Sequence, residues 1–286
     1  VIRMRTKLNR SLWGNILITI VLIVVAIFMA MPLVYSIMNA FKPLDELFLF
    51  PPRFFVRRPT LKNFTDLFYL MSNSFVPFAR YLFNSIFISF LSTFGHVIIA
   101  SMAAYPLAKN KFPGSKFLFN LVVFSLMFSG YVTNIPRFLI MANLKLLDTY
   151  FCLILPYIGA TLGLFLMKQF MEQIPDSYIE SARIDGASEF KIWWNVIMPN
   201  VKPAWLTLIL FAFRDTWNDT YSPSLYIHNE AMKPFSLALT YIQQGGFVRA
   251  GAAAAAAVLM MLPSLIIFII TQSNVVETMK SAGIKE

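Results

Sequence analysis

The chain has 286 residues, of which 58% are hydrophobic and only 13% charged, with a formal net charge of +10. That composition excludes an ordinary soluble domain, and a mean hydropathy of +0.65 points to several membrane spans. One cysteine, Cys152 in an apolar run, excludes a disulfide framework.

The first apolar run, 11–41, follows Arg3, Arg5, Lys7 and Arg10. It is too long for a signal-peptide core and lacks a small-residue cleavage site, so it reads as a retained helix. Further runs at 81–108, 117–136, 149–167 and 250–276 are each long enough to cross roughly 30 Å of hydrocarbon. A sixth span, 203–226, is interrupted by Arg214, Asp215 and Asp219. The expected fold is therefore an all-α polytopic membrane protein with six transmembrane helices. It divides into 1–79 (N-terminal segment, first span and external loop), a core over 80–276, and a tail over 277–286. Six spans put both termini on one side, and the basic residues of the short loops (Lys109, Lys111 and Lys116; Lys168, Arg183, Lys191 and Lys202) assign that side to the cytosol. The first external loop is unusually basic for its side: Arg53, Arg57, Arg58 and Lys62 either form a solvated loop or steer an acidic partner or an anionic solute. Gly159-x-x-x-Gly163 and the run Gly251–Ala257 offer small residues for close helix packing.

The segment 175–203 breaks the apolar pattern with a polar, charged insert. Ser177-x-x-Glu180 has capping-box spacing, and Asp176 and Glu180 place negative charge at a helix start. Asp185-Gly186 predicts a helix stop, and a second short helix is expected from Ser188-Glu189 until Pro199 ends it. Its apolar residues, among them Ile179, Phe190, Trp193 and Val196, exceed what a solvated hairpin needs. On the residues alone two readings stand: a hairpin on the lipid headgroups anchored by Trp193 and Trp194, or a docking surface for another protein.

No G-x-x-x-x-G-K-[ST] loop, HExxH or Gly-x-Ser-x-Gly motif occurs, and His96 and His228 are too far apart to suggest a metal site. Catalysis and a metal are not expected in this chain.

Glu180-Ser181-Ala182, Gly186 and Met198-Pro199 resemble the EAA loop of the membrane subunits of ABC importers, with Ser181 in place of the middle Ala. Asn84-Ser85, the stretch Ala103–Lys109, Trp217-Asn218-Asp219, Pro263 and the tail 279–286 resemble the carbohydrate, maltose-type group, over roughly 80–286. The tail and the Tyr241–Pro263 region look most like permeases for complex oligosaccharides, alginate- and pectin-derived fragments included. The resemblance implies an inner-membrane permease with a cytosolic coupling helix, coupled through Glu180, Ala182, Asp185, Gly186, Phe190, Trp193, Met198 and Pro199. Phe190, Trp193 and Met198 are then the side chains expected in the ATPase cleft. The implied partners are a second permease, an ATPase dimer that holds ATP and Mg, an external solute-binding protein, the sugar and membrane lipid, with no nucleic acid.

Ionisable residues within a span should face the bundle interior, an interface or an aqueous mouth. Arg214, Asp215 and Asp219 are expected either to stabilise the bundle or to line the solute path, with Asp215 and Asp219 one helical turn apart. Trp217 and Asn218 suit a sugar ring and its hydroxyls, and Tyr131, Asn134 and Arg137 end the third span on the same outer side. The rival classes are an ABC permease for amino acids or peptides, an ion-coupled secondary transporter, and a membrane scaffold.

Overall fold

The computed structural model describes residues 12–72, 76–128 and 130–283; the side chains of Leu12, Tyr131 and 273–283 are outside that description. Arg3, Arg5, Lys7, Arg10, the tail side chains and the Tyr131 side chain therefore lie outside the described residues. In chain order the main helices are α1 (Leu12–Ala40), α2 (Lys62–Ser72), α3 (Phe78–Lys109), α4 (Ser115–Ser125), α5 (Gly130–Asn143), α6 (Phe151–Ile158) and α7 (Thr161–Glu172). They continue as α8 (Asp176–Ile184), α9 (Glu189–Asn200), α10 (Lys202–Asn218), α11 (Tyr221–Tyr226), α12 (Phe235–Gln243) and α13 (Ala250–Gly283). No strand occurs among the described residues.

Among the described residues four helices are long and apolar enough to cross a membrane, and five if the bent pair α9–α10 counts as one span. The expected third span is two shorter pieces, α4 and α5, and the fourth is α6 followed by α7. The expected fifth, 203–226, breaks after Asn218, where Asp219 is extended (φ −67°, ψ 119°).

The chain divides into two compact units. One runs through Phe68 and takes in Ile242–Val258. Its α1 window of mean hydropathy 3.0 has no buried residues, as a lipid-facing helix requires. The loop after α1 is ordered by buried polar groups. Lys42 donates to Asn39 Oδ1 (2.7 Å) and the Arg53 carbonyl (2.6 Å) and lies over the Tyr35 ring. Glu46 accepts from the backbone N–H of Arg57 (2.8 Å) and Arg58 (3.4 Å), and Asn63 donates to the Ala40 and Lys42 carbonyls. A loop that buries its backbone must pair those groups, and these three side chains do so. Arg58 pairs with Asp45, while Arg53, Arg57 and Lys62 are exposed. Gly251 lets its helix reach Asn63, since a Cβ there would come within 2.2 Å of Asn63 Oδ1. Ala252, Ala255 and Ala256 are buried beside it in sequence.

The other unit covers Tyr69–Tyr241 and the chain from Leu259. Its centre is α3, which packs against α6, α7 and α10. At the start of α3, Asn84 donates to the Ala231 and Lys233 carbonyls (both 2.9 Å) and accepts from Tyr150 Oη (2.7 Å). Ser85 Oγ accepts from Phe235 N (2.7 Å), so this pair holds the turn that enters α12. Farther along α3, His96 Nδ1 donates to the Ile158 carbonyl at 3.1 Å. A Cβ on Gly163 would lie 2.4 Å from His96 Nε2, so only glycine permits this approach of α7 to α3, whereas Gly159 caps α6. Gly163→Leu is expected to prevent stable assembly, and Gly163→Ala to destabilise by about 1–3 kcal/mol, as overpacking does. Thermal unfolding of the detergent-purified protein checks the order: wild type, then alanine, then leucine.

Candidate functional site: the elbow between α7 and α10

The polar insert folds as a helix–turn–helix whose inner face belongs to the core. Ile174, Ile179, Ile192, Trp193, Ile197 and Val201 are buried with Ala104, Tyr105 and Met171 of the spans. Pro175 is the N-cap of α8, and no side chain caps that start; Ser181 Oγ instead donates back to the Ser177 carbonyl (2.8 Å). The expected Ser177–Glu180 capping box is therefore not formed. Pro175 presets the entry φ, which moves Ser177 inside the helix, where its hydroxyl is not placed to cap.

The expected stop at Asp185-Gly186 is present in detail. Gly186 has φ +77°, its N–H bonds to the Arg183 carbonyl (3.0 Å), and Ala187 N–H bonds to the Ala182 carbonyl (3.0 Å). Those two bonds form a Schellman motif, which needs a left-handed residue and so favours glycine. Ser188 Oγ then caps α9 by accepting from Lys191 N–H at 3.4 Å.

Pro199 does not end the second helix. The chain widens into a π turn over Trp193–Ile197, continues to Asn200, and bends by 83° into α10. The wider turn gives the proline ring room that an α-helical ladder denies it. Trp205 Nε1 donates to the Met198 carbonyl (3.0 Å) across the bend, and Asn200 Nδ2 to the Val196 carbonyl (2.6 Å). Both side chains thus add donors to carbonyls at the bend.

Two polar ties bind the elbow to the end of α3. Lys109 Nζ donates to Asp176 Oδ1 (2.8 Å) and to the Ile174 carbonyl, and this bond holds the Asp176 carboxyl below its usual range. Glu189 accepts from Arg183 Nε (2.9 Å) through one oxygen and from Tyr105 Oη (2.7 Å) through the other. The Arg183 bond first, and the Tyr105 bond second, lower the Glu189 carboxyl below its ordinary value. Any displacement of the elbow therefore pulls on α3.

The outer face presents Glu180, Asp185, Gly186 and Pro199, all exposed, with Ala182 half-buried. Of the side chains expected in a partner's cleft, Phe190 is 64% exposed, but Trp193 is buried at 3% and Met198 is half-buried against the core. Trp193 points inward, with its ring tilted against those of Phe190 and Trp194, because the core side of the π turn falls on its position. The exposed apolar side chains are instead Phe190, Ile184 (87%), Tyr178 (53%) and Trp194 (52%). Ile184, directly before the helix stop, counts among the insert's surplus apolar residues but not among the side chains expected in the cleft, and it is the most exposed of them.

Three polar residues of the expected solute path, Asp219, Asp215 and Arg137, lie near Tyr157, which the sequence reading missed. Tyr157 Oη donates to Asp219 Oδ2 at 2.8 Å, and Asp215 and Arg137 lie within charge range of it. Asp219, the C-cap of α10, also accepts from the N–H groups of Tyr221 (2.9 Å) and Ser222 (3.0 Å) and lies within charge range of Asp215. Arg214 and Asp215 are exposed and 4.0 Å apart. Asn218 donates to the Arg214 carbonyl (2.8 Å) and to Ser264 Oγ (3.3 Å). Asn134 and Arg137 are half-buried on α5. Trp217 is buried at 3%, stacked on Phe213, with Nε1 donating to the Met260 carbonyl (3.0 Å), and so presents no free ring face.

Residues 12–280 match the family described as the binding-protein-dependent transport system inner membrane component. The chain belongs to that family. It is 36% identical over 217 residues to LplC of Bacillus subtilis (strain 168), covering 74% of this chain and 70% of that one. It is 31% identical over 221 residues to YtcP of the same organism, a polygalacturonan/rhamnogalacturonan transport system permease, covering 77% and 75%. The arabinooligosaccharides permease AraQ, also of Bacillus subtilis (strain 168), is 25% identical over 271 residues, 95% of this chain and 96% of that one. In fold it is similar to a chain of a bacterial ABC transporter that imports the acidic polysaccharide alginate, with TM-score 0.78 and 21% identity, covering 93% of this chain and 98% of that one. The resemblance read from Glu180–Pro199 and the flanking spans is thereby established at the level of the family, and the chain is an inner-membrane transport component.

Proposed function

We propose that this permease carries oligosaccharides, acidic ones such as pectin or alginate fragments included, in an importer driven by ATP that separate subunits hydrolyse with Mg. The observation that carries the reading is the elbow: an exposed polar surface fastened to α3 through Glu189 and Lys109 on an otherwise apolar chain. Ile184, Phe190 and Tyr178 are the side chains that enter a cleft of an ATPase subunit. Closure of the ATPase pair moves the elbow, and α3, α7 and α10 follow as one body around the solute path. A second permease completes that path and a solute-binding protein delivers the cargo outside. Both termini and the elbow lie in the cytosol, and α4 with α5 counts as one broken span, giving six. Arg137, Asp215, Asn218 and Asp219, with Asn134 and Arg214, line the path, and Tyr157 joins them.

The cargo class is supported by relatives named for transport of polygalacturonan/rhamnogalacturonan and of arabinooligosaccharides. The exposed Arg53, Arg57 and Lys62 suit either the binding protein or an anionic sugar. Reconstitution with the partner subunits tests the reading: oligogalacturonates delivered by the binding protein should raise ATP hydrolysis several-fold, and uptake should survive an uncoupler. Stimulation by amino acids or peptides alone, or uptake abolished by the uncoupler with ATP intact, would overturn it.

A further inference from the structure

A cavity of about 750 Å³ opens beside the elbow, between the end of α3, the start of α4 and the last turns of α7. Its wall holds four lysines, Lys109, Lys111, Lys116 and Lys168, against two carboxylates, Glu172 and Asp176. The inner two lysines are built in. The Lys109 side chain is 5% exposed and paired with Asp176. The Lys168 side chain is 11% exposed, paired with Glu172 at 2.5 Å and held 3.9 Å from the centre of the Phe119 ring. Lys111 and Lys116 at the mouth form no ion pair among the described residues. With four lysines against two carboxylates the pocket carries a net positive charge, two of its ammonium groups already partly withdrawn from water, which favours an anion over an empty, solvated mouth.

The surface next to the pocket is apolar. Phe117 is 66% exposed on the first turn of α4, followed by Leu118 and Leu121. A basic pocket that adjoins a lipid-facing apolar strip fits an amphiphile with an anionic head better than a fully soluble ion. We propose that this pocket binds the phosphate of an anionic phospholipid headgroup of the cytoplasmic leaflet, with Lys111 and Lys116 as its direct partners and the acyl chains along α4. Free inorganic phosphate shares the headgroup's charge but not the apolar strip. The assignment of leaflet rests on the proposed orientation, because Asp176 of the elbow is part of the wall. Occupancy would brace the Lys109–Asp176 tie and so set how firmly the elbow is held.

The test uses the complete transporter in nanodiscs of neutral phosphatidylcholine, alone or with phosphatidylglycerol, or with millimolar inorganic phosphate in the buffer. Native mass spectrometry counts retained phosphatidylglycerol, and ATP hydrolysis is read in parallel for wild type and for Lys111→Gln with Lys116→Gln. Wild type should retain phosphatidylglycerol and gain about threefold in hydrolysis rate, a difference near 0.65 kcal/mol at 25 °C. The double variant should lose both the retention and the increment while keeping its rate in neutral lipid. Equal retention in wild type and variant overturns the proposal, as does displacement of the lipid by inorganic phosphate. Lipid retention does not depend on ATP coupling, so absent hydrolysis with intact retention would count against the transport reading alone.

Discussion

Gly186→Pro is expected to reduce substrate-stimulated ATP hydrolysis and uptake at least tenfold while leaving the protein in the membrane. Gly186 sits at φ +77°, and proline is confined near −65°, so the Schellman turn cannot form. The substitution also deletes the N–H that bonds to the Arg183 carbonyl. A side chain alone is not the obstacle, because a Cβ at this position meets nothing within 4 Å. Gly186→Ala therefore isolates the backbone cost, about 1–2 kcal/mol for a non-glycine residue in the left-handed region, and should weaken coupling without abolishing it. The spans are packed by other residues and should assemble in both variants. Wild-type coupling in the proline variant, measured as transported sugar per ATP, would show that the turn is not the joint through which force passes.

What could be read from the residues divides along a physical line. Uninterrupted apolar length is a property of composition, so α1, α3 and the long C-terminal helix were legible, as was the elbow, a polar island with a glycine where a turn must come. Features set by backbone breaks were not. The helix of the expected fifth span ends at Asn218, and nothing in the apolar run 203–226 marks that break. Pro199 reads as a terminator under α-helical geometry, but the π turn before it removes the clash. That same turn decides which of two adjacent tryptophans faces inward, and it buries Trp193. The α12 segment, Phe235–Gln243, is too short to register as a span and depends on Asn84 and Ser85, far away in sequence. Lys42 and Glu46 look like ordinary loop charges until the backbone groups they satisfy are placed beside them.

Removing the Tyr105–Glu189 bond should uncouple the elbow from α3 more strongly than removing the Arg183–Glu189 pair. Both bonds end on one carboxylate, at 2.7 Å and 2.9 Å, yet their surroundings differ. The Arg183 and Glu189 side chains are 47% and 54% exposed, and ion pairs so hydrated contribute about 0–1 kcal/mol. Tyr105 is buried at 6%, and a buried hydroxyl bonded to a charged group is worth about 1.5–3 kcal/mol. A double-mutant cycle with Tyr105→Phe and Glu189→Ala should thus return a coupling energy of about 1.5–3 kcal/mol in thermal stability, against at most about 1 for Arg183→Ala with Glu189→Ala. Acid adds an independent check. The Glu189 carboxyl titrates below its ordinary value in the folded protein, so its stabilising effect is complete above the unfolded pKa of about 4.3 and is lost as pH falls through the lower folded value. Glu189→Gln keeps an acceptor but cannot titrate, and should flatten the loss of stability below about pH 5. An unchanged acid limb in that variant, or a cycle in which Arg183 outweighs Tyr105, would move the mechanical tie between elbow and span away from this carboxylate and onto Lys109 and Asp176.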